Sequence, residues 1–414
     1  MALLWLASEV AEVMVTQESV DLSYERVSSR FLLAFLYFAW DGRNWKAKRK
    51  WLSSDSECDW FGVGCNENGK IESLSLPFNN IKGSLESRLG LLRDLKKLDL
   101  AANNIDGPIP LQLWDLSSLG ESNDERVRSS NLDYRFSHAV MKFQTEELFL
   151  GYNQISGSLP ASFGESATSL IRFSLFGNQL VGSMPSSYGL TNLKELNLSE
   201  NSRLGGRIPS DWGDFGRLEN LVLSHTHLSA TIPESIGNMT SLRHLISGFT
   251  AMSGSIPTTV GYYTDLGKRL QEKLYDPKQR RPLTSLPESV HLWLKNSIID
   301  GSIPSELGSC TQLEFLSLTN NFLTGSLATE LGNLSRLKTV SVSGNKYISG
   351  TLPVEYANLV FMEDFDSFKT QIMDPPQADY VAVSTGANYP YQHKMFLLLQ
   401  TRTMVILSVK LNHI

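Results

Sequence analysis

The chain contains the motif Leu98-Asp-Leu-Ala-Ala-Asn-Asn-Ile-Asp-Gly-Pro-Ile-Pro110, whose skeleton of leucine, asparagine, glycine and proline returns many times. A second clear copy is Leu316-Ser-Leu-Thr-Asn-Asn-Phe-Leu-Thr-Gly325. Most neighbouring copies lie 23–25 residues apart. A fixed period of this length predicts a solenoid, in which each coil buries its apolar face against the next coil.

Other copies keep two apolar residues separated by one position. They occur at Leu74/Leu76, Leu148/Leu150, Phe173/Leu175, Leu196/Leu198, Leu221/Leu223, Leu292/Leu294 and Val340/Val342, with a weaker copy at Leu245. The asparagine position holds Asn79, Asn103, Asn153, Asn178, Asn201, Thr226, Thr250, Ser297, Asn321 and Asn345. Two intervals, from Asn103 to Asn153 and from Thr250 to Ser297, are about twice the usual length. Each of these intervals hides one degraded or interrupted repeat.

The spacing of the motif has a direct physical interpretation. Leu-x-Leu predicts a short strand with alternate side chains inward, and stacked copies predict a parallel sheet over a continuous core. The asparagine amide follows the strand, where it can hydrogen-bond backbone groups that would otherwise be buried and unpaired. Glycine permits a tight turn there, and proline ends the pairing.

These motifs resemble the plant-specific class of leucine-rich repeats, with its L-x-G-x-I-P signature, over roughly residues 55–365. The resemblance implies an α/β-type repeat solenoid, a right-handed superhelix with a concave parallel β-sheet. It also implies a second small sheet after the asparagine turn, and a convex side that is mostly irregular or 3-10 helical.

The resemblance also implies the ends of the array. We predict a leader or disordered segment at 1–28, an N-terminal cap at 29–70, repeats at 71–365 and a C-terminal cap or tail at 366–414. The cap contains Cys58-Asp-Trp-Phe-Gly-Val-Gly-Cys65, similar to a run in the family whose two cysteines are paired. With three cysteines in the chain, at most one disulfide forms, and Cys310 is left over.

Two stretches, at 120–145 and 267–290, interrupt the repeats. Some receptor ectodomains of this family use an ordered island loop to shape a ligand pocket, which is one interpretation of these stretches. A disordered insertion, or an error in the predicted coding sequence, is the other, and the remnant Leu283-Thr-Ser-Leu-Pro287 within the second stretch favours it.

Composition narrows the function. The net charge of −6 argues against nucleic acid as a partner. The chain contains no nucleotide-binding, zinc-protease, serine-hydrolase or kinase signature. We therefore expect no enzymatic activity, no cofactor and no metal, and His225, His227 and His244 are better explained as exposed or partner-facing than as metal ligands. No run of about 18 apolar residues occurs and the N-terminus matches a secretory signal poorly, so no membrane tether is visible in the chain.

The positions between and beside the core leucines predict a binding surface, because exposed aromatic side chains clustered across coils mark interaction sites. Isolated apolar residues on a surface are also common. The predicted partner-binding residues of the concave face are Phe149, Tyr152, Phe176, Val222, His225, Ile246, Phe249 and Trp293.

Three N-x-[ST] sequons, at Asn197, Asn238 and Asn333, predict glycosylation in the secretory route. Asn238 and Asn333 are expected on the outer return segments, where a sugar would not clash, and Asn197 on the inner sheet. The chain is therefore predicted to be an extracellular or cell-surface recognition scaffold for a protein, peptide or glycan. A secreted inhibitor of an extracellular hydrolase, as in the related polygalacturonase-inhibiting proteins, and an enzyme with an unrecognised site are the alternatives.

Overall fold

The computed structural model describes residues 24–110, 113, 145–160, 167–185, 190–262, 290–373, 380–383, 393–400 and 403–410. The chain divides into two compact units. Unit 1 comprises Met1–Leu193 and Glu200–Leu204, and unit 2 comprises Lys194–Ser199 and Gly205–Ile414. Each unit is a section of a repeat solenoid with open sheets, which confirms the predicted fold class.

The N-terminal part of unit 1 covers the first repeat. Helix α1 spans Tyr24–Ala39 and therefore begins inside the predicted leader, five residues before the predicted cap. It is followed by 3-10 segments at Gly42–Asn44 and Glu57–Asp59. The tryptophans that flank these segments are buried, with ring contacts from Trp45 to Trp51 and from Trp51 to Trp60, and the Trp45 indole donates to the carbonyl of Trp40. This apolar layer closes the edge of the core that the first coil would otherwise expose.

The main sheet of unit 1 contains the Leu-x-Leu strands. Strand β1 (Val63–Cys65) is antiparallel to β2 (Ile71–Ser75), and all later pairs are parallel. The other strands are β4 (Lys97–Asp99), β6 (Glu147–Phe149) and β8 (Arg172–Ser174). A second sheet contains β3 (Lys82–Ser84), β5 (Asn104–Pro108), β7 (Gln154–Gly157) and β9 (Gln179–Ser183). Strand β11 (Arg203–Gly206) contains the boundary between the units.

The main sheet of unit 2 continues the same pattern. Its repeat strands are β10 (Glu195–Asn197), β12 (Asn220–Val222), β14 (His244–Ile246), β16 (Val290–Trp293), β18 (Leu313–Ser317), β20 (Thr339–Ser341) and β22 (Asp364–Asp366). Smaller strands of the second layer are β13 (His227–Ala230), β15 (Ala251–Ser255), β17 (Ile298–Asp300), β19 (Thr324–Gly325), β21 (Tyr347–Thr351) and β23 (Gln371–Met373). Strands β24 (Tyr380–Val383), β25 (His393–Gln400) and β26 (Thr403–Lys410) extend the main sheet, with β26 parallel to β22.

The return segments are short 3-10 turns, as expected for the outer side. They span Ser87–Leu91 in unit 1, and Ser210–Asp214, Glu234–Asn238, Thr258–Tyr262, Ser305–Ser309, Thr329–Asn333 and Val354–Asn358 in unit 2. In several of them a proline precedes the turn, and a buried leucine, isoleucine or tyrosine anchors it. Across the part of the chain that the structure describes, no helix is both long and apolar enough to cross a membrane.

The leucine pairs form the core in both units. Leu100, Leu198 and Leu318 are at most 1% exposed. In unit 1, the Asn103 amide donates to the carbonyls of Leu76 and Leu100, both at 2.9 Å. Its oxygen accepts from the backbone N–H of Asn79 and of Ile81, also at 2.9 Å. The asparagine therefore joins its own coil to the preceding one, satisfying backbone groups that have no water nearby.

The residues at the same position make fewer hydrogen bonds in the middle of unit 2. The hydroxyl of Thr226 donates to Leu223 within its own coil at 2.7 Å, and the hydroxyls of Thr250 and Ser297 bond to each other at 2.9 Å. Asparagine returns at Asn321, whose amide donates to the carbonyls of Leu294, Leu318 and Thr319. Three consecutive described coils thus lack the hydrogen bonds that an asparagine amide makes to the preceding coil.

The predicted insertions at 120–145 and 267–290 lie outside the described residues, apart from their last residues. Thr145 is buried and donates to the Leu95 carbonyl at 3.1 Å, and Val290 begins β16. At the other end, the coil continues past the predicted limit of 365, through β22 and β23. This coil lacks the signature of the repeat because Ser367 replaces a core leucine and Thr370 replaces the asparagine. The Thr370 hydroxyl still donates to the Ser367 carbonyl at 2.7 Å.

Candidate ligand-binding site

The outward positions of unit 2 place three predicted binding residues in one row. Val222 is the register partner of Ile246, and Ile246 is the partner of Trp293, on consecutive parallel strands. All three side chains are half-buried. Because strands in a parallel sheet lie about 4.8 Å apart, these side chains form a continuous apolar strip.

Two further predicted residues lie just after the strands. His225 and Phe249 both have left-handed backbone, with φ of 56° and 58°. Their rings are stacked, with centroids 4.2 Å apart and an angle of 13° between the planes. Phe249 is 45% exposed, so part of this aromatic pair is available to a ligand. Left-handed backbone disfavours a bulky side chain, which makes the position of these rings unusual.

A lysine that the sequence did not single out completes this group. The Lys295 ammonium lies 5.7 Å from the Phe249 ring centroid and 5.5 Å from that of Trp293. Gly248 makes room for it, because a Cβ there would lie 2.9 Å from Lys295 Cγ. We call His225, Phe249, Trp293 and Lys295 the unit 2 aromatic cluster.

Two more rings lie beside this cluster and were missed from sequence. The ring of His291 is nearly parallel to that of Trp293 at 5.1 Å, and it meets the Phe315 ring at 4.5 Å. Burial, together with electrostatic interactions with His244 and Lys338, lowers the pKa of His291 to about 3, so the ring is neutral at physiological pH. Their signal in the sequence was their place directly before the core leucines, Leu292 and Leu316.

Hydroxyl groups follow the aromatic residues on the next coils. The hydroxyl oxygens of Ser317 and Thr319 are 3.3 Å apart, and the Thr319 hydroxyl is hydrogen-bonded to the Ser341 hydroxyl at 2.7 Å. Ser341 in turn bonds to Ser343 and donates to a carboxylate oxygen of Asp366, both at 3.3 Å. This part of the main sheet of unit 2 is therefore polar, and it limits the apolar strip on one side.

The predicted residues of unit 1 do not form an equivalent exposed surface. Phe176 is only 8% exposed, so the expectation that it faces solvent is wrong. Its ring lies over Gly151, where any side chain would overlap it, and it meets Tyr152 edge-on at 4.5 Å. The absence of side chains at Gly151 and Gly177 lets these two rings fold down onto the sheet. Phe149 is half-buried, with the Lys97 ammonium 5.6 Å from its ring.

Ion pairs line the N-terminal ends of the main-sheet strands. In unit 1, Glu147 pairs with Lys97 at 3.1 Å and with Arg172. Burial opposes ionisation of Glu147, but the hydrogen bonds from Arg172 and Lys97 outweigh it and lower the pKa of the carboxyl. In unit 2, Glu219 pairs with Lys194 at 3.4 Å and with Arg243 at 3.8 Å, and Glu314 pairs with Lys338 at 2.6 Å.

The histidines considered as metal ligands do not come together. His225 is exposed beside Phe249, His244 is 8% exposed, and His227 lies on β13 of the second layer. No group of three or more metal-ligating side chains occurs among the described residues.

The cysteines and sequons have distinct environments. Cys58 and Cys65 form a disulfide with Cα atoms 5.5 Å apart. Cys310 is buried, its thiol donates to the Val260 carbonyl at 3.3 Å, and burial raises its pKa to about 12. Asn238 and Asn333 are exposed at the ends of their 3-10 turns. Asn197 is half-buried on β10 and accepts hydrogen bonds from Ser199.

The chain is similar to one family of repeats and to several plant receptors. The Leucine Rich Repeat family model matches residues 192–215, 217–239 and 312–334. The MDIS1-interacting receptor like kinase 1 of Arabidopsis thaliana is 30% identical over 123 residues, which cover 28% of this chain and 11% of that protein. This chain therefore corresponds to about a tenth of that relative's length.

Two solved structures are similar over most of the chain. The ectodomain of the Arabidopsis thaliana membrane receptor kinase GASSHO1/SCHENGEN3, in complex with CASPARIAN STRIP INTEGRITY FACTOR 2, has a TM-score of 0.63 and 29% identity, covering 79% of this chain and 34% of that one. The plant peptide hormone receptor RGFR1, in complex with RGF2, has a TM-score of 0.54 and 26% identity, covering 76% and 49%. The repeats, the solenoid and these relatives together identify the chain as a leucine-rich-repeat protein of the plant type.

Proposed function

We propose that the chain is the extracellular, non-catalytic recognition part of a receptor-like protein, and that it binds a peptide on the main sheet of unit 2. The observation that carries this proposal is the unit 2 aromatic cluster beside the strip of Val222, Ile246 and Trp293. The relatives are receptors, and one of the similar structures is a peptide hormone receptor.

The physical basis is a preformed apolar surface. Ligand binding to the cluster would cover rings that are already held by their neighbours, such as Phe249 by His225 and Lys295. Little side-chain freedom is then lost on binding, so more of the buried apolar area contributes to affinity. Aromatic side chains in such positions carry a large share of the binding energy in most interfaces.

An extended peptide fits this surface better than a folded protein domain. The apolar strip runs across consecutive coils and is limited on one side by the hydroxyls of Ser317, Thr319 and Ser341. A peptide laid across the coils could place alternate side chains on the strip and its own backbone groups against the hydroxyls. A flat, wide interface would instead cover the ion pairs at the strand ends, which are costly to desolvate.

The test uses the purified chain and an array of immobilised synthetic peptides. Substituting both Phe249 and Trp293 by alanine should abolish most peptide binding, while the protein still unfolds in one cooperative thermal transition whose midpoint falls only modestly because the ring stacking with His225 and His291 is lost. The matched control is Phe361→Ala, because Phe361 is 59% exposed on the return side of unit 2. If the double variant binds the array like the parent protein, or if the parent protein binds no peptide, the proposal is wrong.

Secretion is tested separately, through the sequons. Expression in plant cells should yield glycans on Asn238 and Asn333 and little or none on Asn197, because only the first two amides are exposed on the outer turns. Mass spectrometry of the released glycopeptides measures the occupancy. An unmodified protein from the secretory route would contradict the assignment of these two sites.

A further inference from the structure

Lys295 differs from the other cations of the unit 2 main sheet in its surroundings. Lys194, Arg243 and Lys338 each pair with a glutamate of a neighbouring strand. No carboxylate forms an ion pair with Lys295 within the residues that the structure describes. Its charge is therefore not neutralised by the sheet in the way that the others are.

Aromatic rings take the place of a carboxylate around this ammonium group. Two ring faces lie within 6 Å of Nζ, those of Phe249 and Trp293, a distance at which a cation and a ring attract each other. Gly248 leaves space for the alkyl stem, so the side chain leans along the sheet instead of extending into solvent. The ammonium is thereby held at a defined point of the surface before any ligand arrives.

A cation fixed in this way favours an anion from the ligand side. The rings carry no net charge, so they attract the ammonium without neutralising it, and its N–H groups can still donate to an anionic partner. A carboxylate is the anion that peptides carry, and a charge-assisted hydrogen bond to a preplaced ammonium is about twice as strong as a neutral one. The exposed ring of Phe249 lies beside it, and Ile246 is the strand partner of Trp293, so both offer contact to an apolar group of the ligand.

We infer that the unit 2 aromatic cluster recognises an acidic side chain that stands next to an apolar or aromatic side chain in an extended peptide, with Lys295 binding the carboxylate. This inference rests on the proposed function and adds the chemical class of the ligand. The cluster then selects by charge as well as by shape.

The experiment uses the peptide array with matched sequences. Each peptide containing Glu next to Phe, Trp or Leu is paired with copies in which Glu is replaced by Gln or by Lys. The parent protein should bind the Glu peptides roughly ten-fold more tightly than the Gln copies, as expected for one hydrogen bond to a charged group.

Substitutions assign this preference to one side chain. Lys295→Gln should remove the difference between Glu and Gln peptides, and Lys295→Glu should reverse it in favour of the Lys copies. The matched control is Lys194→Gln, which removes a cation of the same sheet that is already paired with Glu219. Circular dichroism melting curves establish that each variant is folded.

The outcomes separate this inference from the proposed function. Peptide binding that depends on Phe249 and Trp293 but does not distinguish Glu from Gln would overturn the carboxylate assignment and leave the proposed function intact. A preference for Glu that survives Lys295→Gln would overturn it as well. A parent protein that binds no peptide would overturn both proposals.

Discussion

The imidazole of His225 lies parallel to the ring of Phe249 on the next coil, with their centroids 4.2 Å apart. Both residues have left-handed backbone, and both precede a threonine that replaces the asparagine of the repeat, Thr226 and Thr250. The stack thus joins two coils on their solvent-exposed surface. At these two positions the hydrogen bonds that a buried asparagine amide makes between coils are missing.

This stack should contribute measurably to stability. In a double-mutant cycle with His225→Ala and Phe249→Ala, we expect a coupling of about 0.5–1.5 kcal/mol in the free energy of unfolding, the usual range for aromatic pairs. Urea unfolding of the four proteins measures it. A cycle between His225→Ala and Phe361→Ala is the control, and additive effects in both cycles would mean that the stack contributes nothing.

Each buried asparagine of the repeat should contribute more to the free energy of unfolding than a threonine at the same position of another coil. Asn103→Ala removes bonds to five backbone groups, so we expect a loss of at least about 3 kcal/mol; these groups belong to Leu76, Asn79, Ile81, Leu100 and Ala101. Thr226→Ala removes a single bond to Leu223 and should cost about 1 kcal/mol. Chemical denaturation compares the two variants, and equal losses would contradict the role given to the amide.

The ion pairs of Glu147 predict a dependence of stability on pH. Because its pKa in the folded chain is lowered from the ordinary value of 4.5, the carboxylate contributes stability that is present above that value. The contribution is lost as the pH falls through the lowered pKa. Glu147→Gln should therefore reduce the free energy of unfolding at neutral pH, by about 1 kcal/mol or less for a partly exposed pair.

The effect of the same substitution should shrink as the pH falls through the lowered pKa, because the parent carboxyl is then protonated too. Denaturant unfolding at a series of pH values from neutral to acid gives the comparison. Glu67→Gln is the control, since Glu67 is exposed and makes no ion pair with any residue that the structure describes. A loss that is as large in acid as at neutral pH would show that shape, and not charge, causes it.

Cys310 should be unreactive while the protein is folded. Burial raises the pKa of its thiol to about 12, so almost no thiolate forms at pH 8. With Ellman's reagent we expect no fast reaction of the native protein and one reactive thiol after unfolding in urea, because Cys58 and Cys65 are joined. Fast release of one equivalent from the native protein would contradict the buried position.

Much of the fold could be predicted because each coil repeats the same physical problem. The register of Leu98, Leu148 and Leu316 follows from period and alternation alone, and all three are buried. The end of the array could not be predicted in the same way. Phe365 is a core residue, but Ser367 and Thr370 replace the leucine and asparagine that mark a coil.

The candidate site was predicted in part, because exposure depends on neighbours that are distant in sequence. Phe176 was expected to face solvent, but the empty position at Gly151, one coil away, lets its ring pack down. Lys295 was missed for a related reason, since nothing in its own motif shows that Gly248 and Phe249 lie beside it. Strand pairing, which periodicity predicts, does not specify where long side chains lean.

The run of Thr226, Thr250 and Ser297 has a consequence for how the solenoid moves. Fewer buried bonds tie these coils together than tie the coils around Asn103 or Asn345. Local opening needs less free energy where fewer bonds must break, so backbone amides in this stretch would exchange with deuterium sooner than those on either side. The backbone beneath the stacked rings would then open more readily than the coils around Asn321 and Asn345, while the rings themselves stay held by one another.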